Sequence, residues 1–408
     1  MELELDRLRA VRVIGRGAMG TVFLVTSRCA GDPYPHLPPL FALKVVEKHS
    51  PSAKPDADRR ARWELNLLSR LTISSTGDAA QHPFLPSLLG AAETPELLAW
   101  ALPFCPGGDL HALRHSLSSD AAFSPAAVRF YISELVDALA HLHALRVAYR
   151  DLKPENVLLQ ASGHVTLTDF DLSRHLPRSS VSSVADPLPS PPARRRSRGH
   201  LTRIFAFGDR RHGDHLKKAR SARVSPVSRR RTSFSDGRSF SFVGTEEYVS
   251  PEVVRGEGHG LAVDWWALGV LAYEMAYGRT PFKGRNRKET FRNVLSRSPE
   301  FPGNRRCDLA DLIERLLVKD PSQRLGSAGG ADEVRSHPFF HGVRWDLLAD
   351  VTRPPFLPPP IEELEEAVAA GSEGFNVMDY FKGLRQPSAS PSLSPSLSRS
   401  PSSSLTEF

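Results

Sequence analysis

Short apolar runs rich in β-branched and aromatic residues dominate residues 8–104, and this pattern predicts strands. The runs read VRVIG, TVFLVTS, FALKVVE and LLAWALPF. Between the third and fourth runs, residues 56–71 have helical spacing, which places Trp63, Leu67 and Leu71 on one stripe. We therefore predict a small β lobe that contains one amphipathic helix.

From Asp109 onward helical spacing dominates, and the strand-like runs VLLQ and HVTLTDF interrupt it. Ser124 and Pro125, a favoured cap followed by Pro in the first turn, open a predicted helix that runs to about Leu145. A strongly apolar helix is predicted for residues 262–278. A strand-rich lobe followed by a mainly helical lobe is an α+β arrangement. The length of 408 residues supports two lobes, because a single hydrophobic core stops growing at roughly 250–300 residues.

Composition divides the chain further. Residues 172–240 are rich in Ser, Pro and Arg and have few periodic apolar positions, so they are interpreted as an inserted segment without a core of its own. We expect a small lobe at 8–104 and a large lobe at 105–340 that carries this insert. A C-terminal extension at 341–386 and a Ser-Pro tail at 387–408 follow.

Charge is distributed unevenly along the chain. The formal net charge is +7, but the 45 residues from Arg194 to Arg238 carry fifteen Arg or Lys and three Asp, a net charge of +12. The other residues therefore sum to −5. Most of the chain is mildly acidic, and one segment makes the whole basic.

The cysteine content and the N-terminal sequence indicate where in the cell the protein is expected. The charged start MELELDRLRAVRVIG lacks the apolar region of a signal peptide, and no apolar run approaches the length of a membrane-spanning helix. Three widely spaced cysteines exclude a disulfide framework and a Cys-rich zinc module: Cys29, Cys105 and Cys307. We expect a soluble intracellular protein.

Two N-terminal features suggest phosphate binding. Residues 15–22 read GRGAMGTV and fit G-x-G-x-x-G-x-V between two predicted strands, where glycines let backbone N–H groups approach phosphate oxygens. A glycine-rich hairpin turn explains this pattern equally well. Lys44 in the run FALK could reach the phosphates if an acid held it, and Glu64 in the predicted helix is the natural partner. Taken singly, each is as readily a surface charge.

The run YRDLKPEN at residues 149–156 and the run DFD eighteen residues after Asp151 are more specific. Phosphoryl transfer needs a carboxylate to accept the hydroxyl proton, and Asp151 fits that role. Lys153 would screen the transferring phosphoryl group, while Asn156 and Asp169 would bind Mg²⁺. Four different polar groups at these offsets are hard to explain as core filling.

With these motifs the chain resembles a eukaryotic protein kinase over residues 8–340. The sequences HPFLPSLLG, GGDL and DWWALGVL resemble AGC-type serine/threonine kinases. DFD in place of DFG, with an insertion before GTEEY, is similar to plant AGC kinases, closest to the UNICORN-like and oxidative-signal-inducible kinases. The resemblance implies a bilobal kinase fold, with a small antiparallel β lobe, one key helix and a larger helical lobe. It also implies an ion pair between Glu252 and Arg324, and a structural role for Asp264.

The same resemblance implies ATP and Mg²⁺ as cofactors and assigns the nucleotide site. Leu102 would be the gatekeeper, with Pro103 to Cys105 as the hinge. The residues implied in ATP binding are Ile14, Gly15, Gly17, Gly20, Val22, Ala42, Lys44, Leu102, Pro103 and Cys105. Asp171 replaces a glycine, which removes φ > 0 freedom. We therefore expect the inward position of Phe170 to be easier to hold, with catalysis intact.

Substrate and regulatory residues also follow from the resemblance. Asp109, Glu155 and Glu274 would bind an arginine two or three residues before the acceptor, so basic protein substrates are expected. Thr245 falls in the substrate-docking segment. Ser241 matches the activation-segment phosphosite. A phosphate on Ser241 could pair with Arg150, the residue immediately before Asp151.

The C-terminal run FNVMDYF at residues 375–381 resembles the hydrophobic motif of AGC kinases. That motif docks on the small lobe or on the phosphoinositide-dependent protein kinase, with Tyr380 and Phe381 as its aromatic anchors. An ordinary apolar end to a helix is the rival interpretation. We expect an upstream kinase of this kind as a partner.

The basic insert leaves alternatives open. It could bind an anionic lipid surface or a nuclear import factor, and Ser233 after three arginines could be autophosphorylated. A different class of function is a nucleic-acid- or lipid-binding scaffold with an incidental kinase fold. The complete catalytic set favours the enzyme, because a scaffold needs none of it. We expect a monomer with no obligate nucleic acid, located in cytoplasm and nucleus, with the plasma-membrane periphery as an alternative.

Overall fold

The computed structural model describes most of both lobes and the start of the chain. The described residues are 1–17, 19–26, 36–48, 56–72, 81–117, 122–176, 244–303, 307–371 and 374–385. The predictions about insert residues 177–240, Ser233, Ser241 and the Ser-Pro tail therefore lie outside the described residues.

The small lobe is an antiparallel sheet with one long helix, as the apolar pattern predicts. Its strands and helix are β1 (Arg9–Gly17), β2 (Gly20–Thr26), β3 (Leu40–Glu47), α1 (Ala57–Thr72), β4 (Gly90–Glu93) and β5 (Leu97–Pro103). Strand order is β1-β2-β3-β5-β4, and a C-terminal strand pairs with the free edge of β1. The stripe of α1 packs inward, where Leu67, Leu68 and Leu71 are buried.

The large lobe is mainly helical. Its elements are α2 (Leu110–Ser116), α3 (Pro125–Ala144), β6 (Val147–Ala148), β7 (Val157–Leu159), β8 (Val165–Leu167), β9 (Arg174–His175), α4 (Pro251–Val254), α5 (Ala262–Tyr277), α6 (Arg287–Ser296), α7 (Asp308–Leu316) and α8 (Gly330–Arg335). The C-terminal extension adds α9 (Ile361–Gly371), β10 (Phe375–Asn376) and α10 (Val377–Arg385). Short 3-10 helices cover Leu5–Arg7, Pro154–Asn156, Pro338–Phe340 and Trp345–Asp350.

Local signals explain where the two central helices begin and end. The Ser124 hydroxyl accepts a hydrogen bond from the Ala127 N–H at 3.2 Å, and Pro125 occupies the first turn of α3. The apolar helix α5 ends at Gly278, whose φ of 69° is the left-handed cap conformation that glycine adopts readily. Among the described residues, no helix is long and apolar enough to cross a membrane.

One prediction needs a changed boundary. Composition assigns residues 172–176 to the insert, but β9 pairs with β6, with Ala148 opposite Arg174. The Leu176 N–H also donates to the Arg146 carbonyl at 2.7 Å. Polar composition misled here, because a two-residue strand has too few apolar positions to show a period.

Two buried acids hold the loops of the large lobe. Asp264 is fully buried, and its carboxylate accepts from the backbone N–H groups of Tyr149 at 2.9 Å and Arg150 at 2.7 Å. Glu252 forms a two-point ion pair with Arg324 at 2.8 and 2.9 Å, which confirms the predicted pair. Both arrangements satisfy a buried charge, which would otherwise be very costly.

A buried histidine fastens the start of the C-terminal extension to the large lobe. His164 contacts the Glu134 carboxylate at 2.6 Å through Nδ1 and the Val351 carbonyl at 3.1 Å through Nε2. Hydrogen bonding to Glu134 raises the pKa of His164, although burial opposes it. Since both neighbours are acceptors, the protonated imidazole, with two donors, is the form that fits this position.

We predict that this contact makes stability depend on pH. Because the pKa of His164 is raised in the folded protein, its stabilising effect is complete below about pH 6.5 and is lost as pH rises through the folded pKa. His164→Gln should lower the free energy of unfolding by about 1–3 kcal/mol at pH 6 and by less at pH 9, measured by urea denaturation.

Glu134→Gln is the matched control, since it removes the carboxylate that raises the His164 pKa. In that background burial lowers the pKa of His164, so the extra stability that His164 contributes at low pH should disappear. A His164→Gln effect that stayed constant from pH 6 to pH 9 would contradict the charged contact.

Candidate active site

A cleft of about 720 Å³ lies between the two lobes. All the residues predicted to bind ATP line it, from Ile14 in β1 to Cys105 after β5. Asp151, Lys153, Asn156 and Asp169 line its other side. The structure therefore brings the predicted nucleotide and catalytic residues to one cavity, although they are far apart in sequence.

The glycine-rich segment is the tight turn between β1 and β2, with Gly17 opposite Gly20. Gly20 has a φ of 142°, and a Cβ atom there would lie 2.3 Å from the carbonyl oxygen of Val45. No other residue fits that approach to β3. The hairpin interpretation and the phosphate-loop interpretation are thus compatible, since this hairpin forms one wall of the cleft.

Lys44 is the centre of an ion-pair network at the back of the cleft. Its ammonium group lies 2.9 and 2.8 Å from the two carboxylate oxygens of Glu64, and 2.8 Å from Asp169 Oδ1. Burial lowers the pKa of Lys44, but the charges of Glu64 and Asp169 outweigh burial and raise it. Burial raises the pKa of Glu64 to about 7, and the Lys44 charge opposes this. Lys44 therefore stays positively charged, ready to contact phosphate.

The catalytic loop is held in an uncommon backbone conformation. Arg150 and Asp169 have φ values of 71° and 58°, which side-chain-bearing residues rarely adopt. Lys153 donates to Asp151 Oδ2 at 2.8 Å, and the Asn156 amide donates to the same oxygen at 3.0 Å. Burial raises the pKa of Asp151, while Lys153 opposes that shift.

The donor set fits a magnesium ion. Asn156 uses its Nδ2 atom to donate to Asp151, which leaves Oδ1 as the atom able to ligate a metal. Asp169 supplies a carboxylate on the same cleft. No group of three or more His, Cys, Asp or Glu side chains in the described parts of the chain could hold a metal. Mg²⁺ commonly takes one or two protein oxygens and completes its shell with water and phosphate, so Asn156 and Asp169 would hold it.

Comparison with known proteins agrees with this geometry. The protein kinase domain model matches residues 8–188 and 228–340, with its interruption inside the predicted insert. Serine/threonine-protein kinase UCNL of Arabidopsis thaliana is 51% identical over 393 residues, covering 95% of this chain and 91% of the relative.

The chain belongs to the protein kinase family. Serine/threonine-protein kinase UCN of Arabidopsis thaliana is also 51% identical, over 94% of this chain and 92% of the relative. Protein kinase PINOID of Oryza sativa subsp. japonica is 43% identical, over 86% of this chain and 69% of the relative. These relatives confirm the resemblance to plant AGC kinases, and the chain is a serine/threonine protein kinase.

The geometry explains how a kinase of this form transfers phosphate. A Ser or Thr hydroxyl attacks the γ-phosphorus of ATP while the bond to the β-phosphate oxygen breaks, and ADP leaves. Asp151 would accept the hydroxyl proton, and Lys153, whose ammonium group contacts Asp151, would offer positive charge to the transferring group. Glu64 fixes the position of the Lys44 ammonium group, which would there contact the phosphates of ATP. Asn156 and Asp169 would hold a Mg²⁺ ion, which would supply positive charge to the phosphate groups.

The kinase hinge follows β5. Ala42 in β3 lies opposite Leu102, and Phe41 opposite Pro103, so the gatekeeper and hinge positions are fixed by strand pairing. Pro103 has no N–H, whereas Cys105 retains one and lines the cleft. Burial raises the pKa of the Cys105 thiol to about 12, so this thiol is neutral where the resemblance implies that adenine binds.

The acids predicted to bind substrate arginine differ in their availability. The Glu155 side chain is 48% exposed, and its nearest basic group is His111 at 3.9 Å. Asp109 lines the same cleft but also caps α2, accepting from the Ala112 N–H at 2.7 Å. Thr245 lies beside them at the edge of the cleft.

Glu274 is placed differently from the other two acids. It is buried, and its carboxylate contacts Arg114 at 2.8 Å and the Tyr248 hydroxyl at 2.6 Å. An arginine of the chain itself therefore occupies the partner position. A direct role for Glu274 in binding substrate stays a prediction.

The predicted hydrophobic motif docks on the kinase's own small lobe. β10 extends the sheet at the edge of β1, with Phe375 opposite Ala10. Val377 and Phe381 are buried, and the Phe381 ring lies 5.9 Å from that of Phe23 in β2. The segment is thus partly an apolar helix, α10, and partly a strand, β10, and both dock on the small lobe.

Two contacts around the site were not predicted from the sequence. The Tyr380 hydroxyl accepts from the Arg16 guanidinium, which joins the C-terminal motif to the glycine-rich turn. Arg60 of α1 contacts Asp171 at 3.3 Å. Only the second had a visible signal, since Arg60 lies four residues before Glu64 on the same helix face. Phe170 is buried against Tyr149, in the inward position that the sequence predicts.

We predict that Asp151→Asn lowers kcat for peptide phosphorylation about 10²–10⁴-fold, because it removes the proton acceptor. The affinity for Mg²⁺-ATP should stay within about threefold of wild type, since Lys44 and Asp169 are untouched. Steady-state kinetics and nucleotide binding by calorimetry would check this. If ATP affinity fell as far as kcat, Asp151 would instead act in nucleotide binding.

Proposed function

We propose that this kinase phosphorylates Ser or Thr preceded by basic residues in intracellular proteins, within developmental or stress signalling. The observation that carries the substrate preference is Glu155, an exposed acid beside the catalytic loop; within the described parts of the chain, its one close basic neighbour is His111 at 3.9 Å. Asp109 adds a second carboxylate to the same cleft. Two acids at one end of a peptide groove favour a positively charged residue by complementarity.

We predict that the two acids can be tested separately. Asp109→Asn removes the charge but keeps the cap of α2, because Asn caps helices as well as Asp. Glu155→Gln removes the charge of the second acid. Each of these two single variants should raise KM for a peptide with Arg two or three residues before Ser by about tenfold, equivalent to about 1.4 kcal/mol. Peptide-array kinetics would measure it.

The control is the same peptide with Ala in place of Arg, whose KM should change little in either variant. Equal KM values for the Arg and Ala peptides in the unaltered kinase would contradict the proposed preference. That outcome leaves the kinase activity itself intact.

We also propose that the phosphoinositide-dependent protein kinase activates this chain by capturing the C-terminal motif. The support is that the motif is only partly covered by the small lobe: Val377 and Phe381 are buried against it, whereas Met378 and Tyr380 stay partly accessible to a partner. Capture in trans must displace this docking. A phosphate on Ser241 would then pair with Arg150, whose guanidinium is partly buried and close enough to Arg174 for the two positive charges to repel each other.

We predict opposite effects from the two sides of this docking. Phe381→Ala removes an aromatic anchor and should abolish pull-down of the purified upstream kinase. Arg16→Ala removes only the contact to Tyr380 from the lobe side, so it should increase capture. Circular dichroism must show that both variants fold, because Phe381 is buried. Unchanged capture of Phe381→Ala would exclude the motif as the docking site.

The basic insert supports a proposal about location. Its +12 charge within 45 residues would suit an anionic membrane surface or an import factor. We place the kinase in cytoplasm and nucleus, with membrane association through this segment. The intact network of Lys44, Glu64 and Asp169 supports an enzyme over a scaffold, because a scaffold needs no charged nucleotide site.

A further inference from the structure

One face of α1 is turned toward the loop that follows β8. Arg60, Trp63 and Glu64 are three and four residues apart, so their side chains share that face. The loop they meet contains the DFD sequence at residues 169–171. Glu64 on this helix face and Asp169 in this loop both contact Lys44, so the relative position of helix and loop decides whether one ammonium group can reach both carboxylates.

Three polar links join this helix face to the loop. Glu64 reaches it indirectly, through Lys44. Trp63 Nε1 donates to Ser173 Oγ at 2.9 Å, and Arg60 Nη1 donates to Asp171 Oδ2 at 3.3 Å. Of these links, the one from Arg60 joins opposite charges directly and anchors the first half of α1.

The surroundings of Asp171 require such a cation. Its side chain is 6% exposed, and it lies two residues from the carboxylate of Asp169. Lys44 is already shared between Glu64 and Asp169. A buried carboxylate without a counter-charge is costly, and Arg60, with a side chain 26% exposed, supplies that charge while keeping contact with water.

The Asp side chain, and not the backbone, is what this position uses. Arg146, Arg150 and Asp169 are the described non-glycine residues with positive φ, and Asp171 is not among them. A glycine at 171 would fit the backbone but would leave Arg60 without its carboxylate. Compared with Gly, Asp at position 171 has less backbone freedom, but its carboxylate links the loop to Arg60 in α1.

We propose that the Arg60–Asp171 ion pair is a positioning device for phosphoryl transfer, which holds α1 against the loop and so keeps Glu64 on Lys44 and Asp169 facing the cleft. Both residues act through these partners and not on the reacting atoms. The ionic link is contained within the kinase domain, so it orders the site without any group from another chain.

If the two charges compensate each other, the effects of Arg60→Gln and Asp171→Asn on kcat should not multiply in the double variant. Arg60→Gln leaves the Asp171 carboxylate buried and uncompensated beside Asp169, which should disturb the loop. Asp171→Asn leaves Arg60 unpaired, but that guanidinium is partly exposed and can be hydrated. The double variant removes both charges, so it should be more active than Arg60→Gln alone.

The experiment is steady-state kinetics on the full chain with one peptide substrate. Arg60→Gln should lower kcat about 10–100-fold and Asp171→Asn about 3–10-fold, within the usual range of coupling between sites. The double variant should recover to about the level of Asp171→Asn. KM for the peptide should stay within about twofold, because the substrate acids are untouched. Hydrogen exchange of the α1 amides should quicken in Arg60→Gln and recover in the double variant.

Arg59→Gln is the matched control, since Arg59 is the exposed neighbour on α1 and pairs only with Asp56 among described residues. It should leave kcat and exchange unchanged. If Arg60→Gln did not fold, Arg60→Lys would replace it and should keep kcat within about fivefold, because the charge remains. Multiplicative losses in the double variant, unchanged kcat in both single variants, or a change confined to KM would each overturn the proposal.

Discussion

The contact between Lys44 and two carboxylates is the interaction on which the active site depends. Lys44 belongs to β3, Glu64 to α1 and Asp169 to the loop after β8, so a single ammonium group ties three separate elements. Without it, burying Glu64 at 1% exposure would cost several kcal/mol. The network therefore lowers the free energy of the arrangement in which β3, the predicted metal ligands and the catalytic loop face one cleft.

A second buried acid fixes the opposite wall of the cleft. Asp264, near the start of α5, accepts hydrogen bonds from the backbone N–H groups of Tyr149 and Arg150, which precede Asp151. These bonds attach the catalytic loop to α5. The positive φ of Arg150 is tolerated because these bonds and the surrounding core determine it. Positioning, which supplies most of phosphoryl-transfer catalysis, thus comes from hydrogen bonds deep in the large lobe.

Helices and site residues could be predicted from the sequence where they depend on a local pattern or on a single motif. It predicted α1, α3 and α5 closely, because periodicity, caps and terminal glycine act over a few residues. It also indicated Glu64 as the partner of Lys44 from its place in the predicted helix, and Arg324 as the partner of Glu252 through the family resemblance. It did not indicate Asp169 as the second partner of Lys44. It missed β4, β9 and β10, which have two to four residues and exist only through pairing with distant strands. The Tyr380–Arg16 contact was hidden for the same reason, since 364 positions separate its partners.

The C-terminal motif and the DFD loop show how the chain can order its own active site. β10 and α10 complete the small lobe next to the glycine-rich turn, and Arg60 joins α1 to Asp171 from the other side. Both contacts are intramolecular, so their effective concentration is fixed by the fold. A partner that captured the motif, as proposed above, would have to break the Tyr380 contact to Arg16. Such binding would therefore be coupled to the glycine-rich turn, whereas the Arg60 link lies on α1 and would persist.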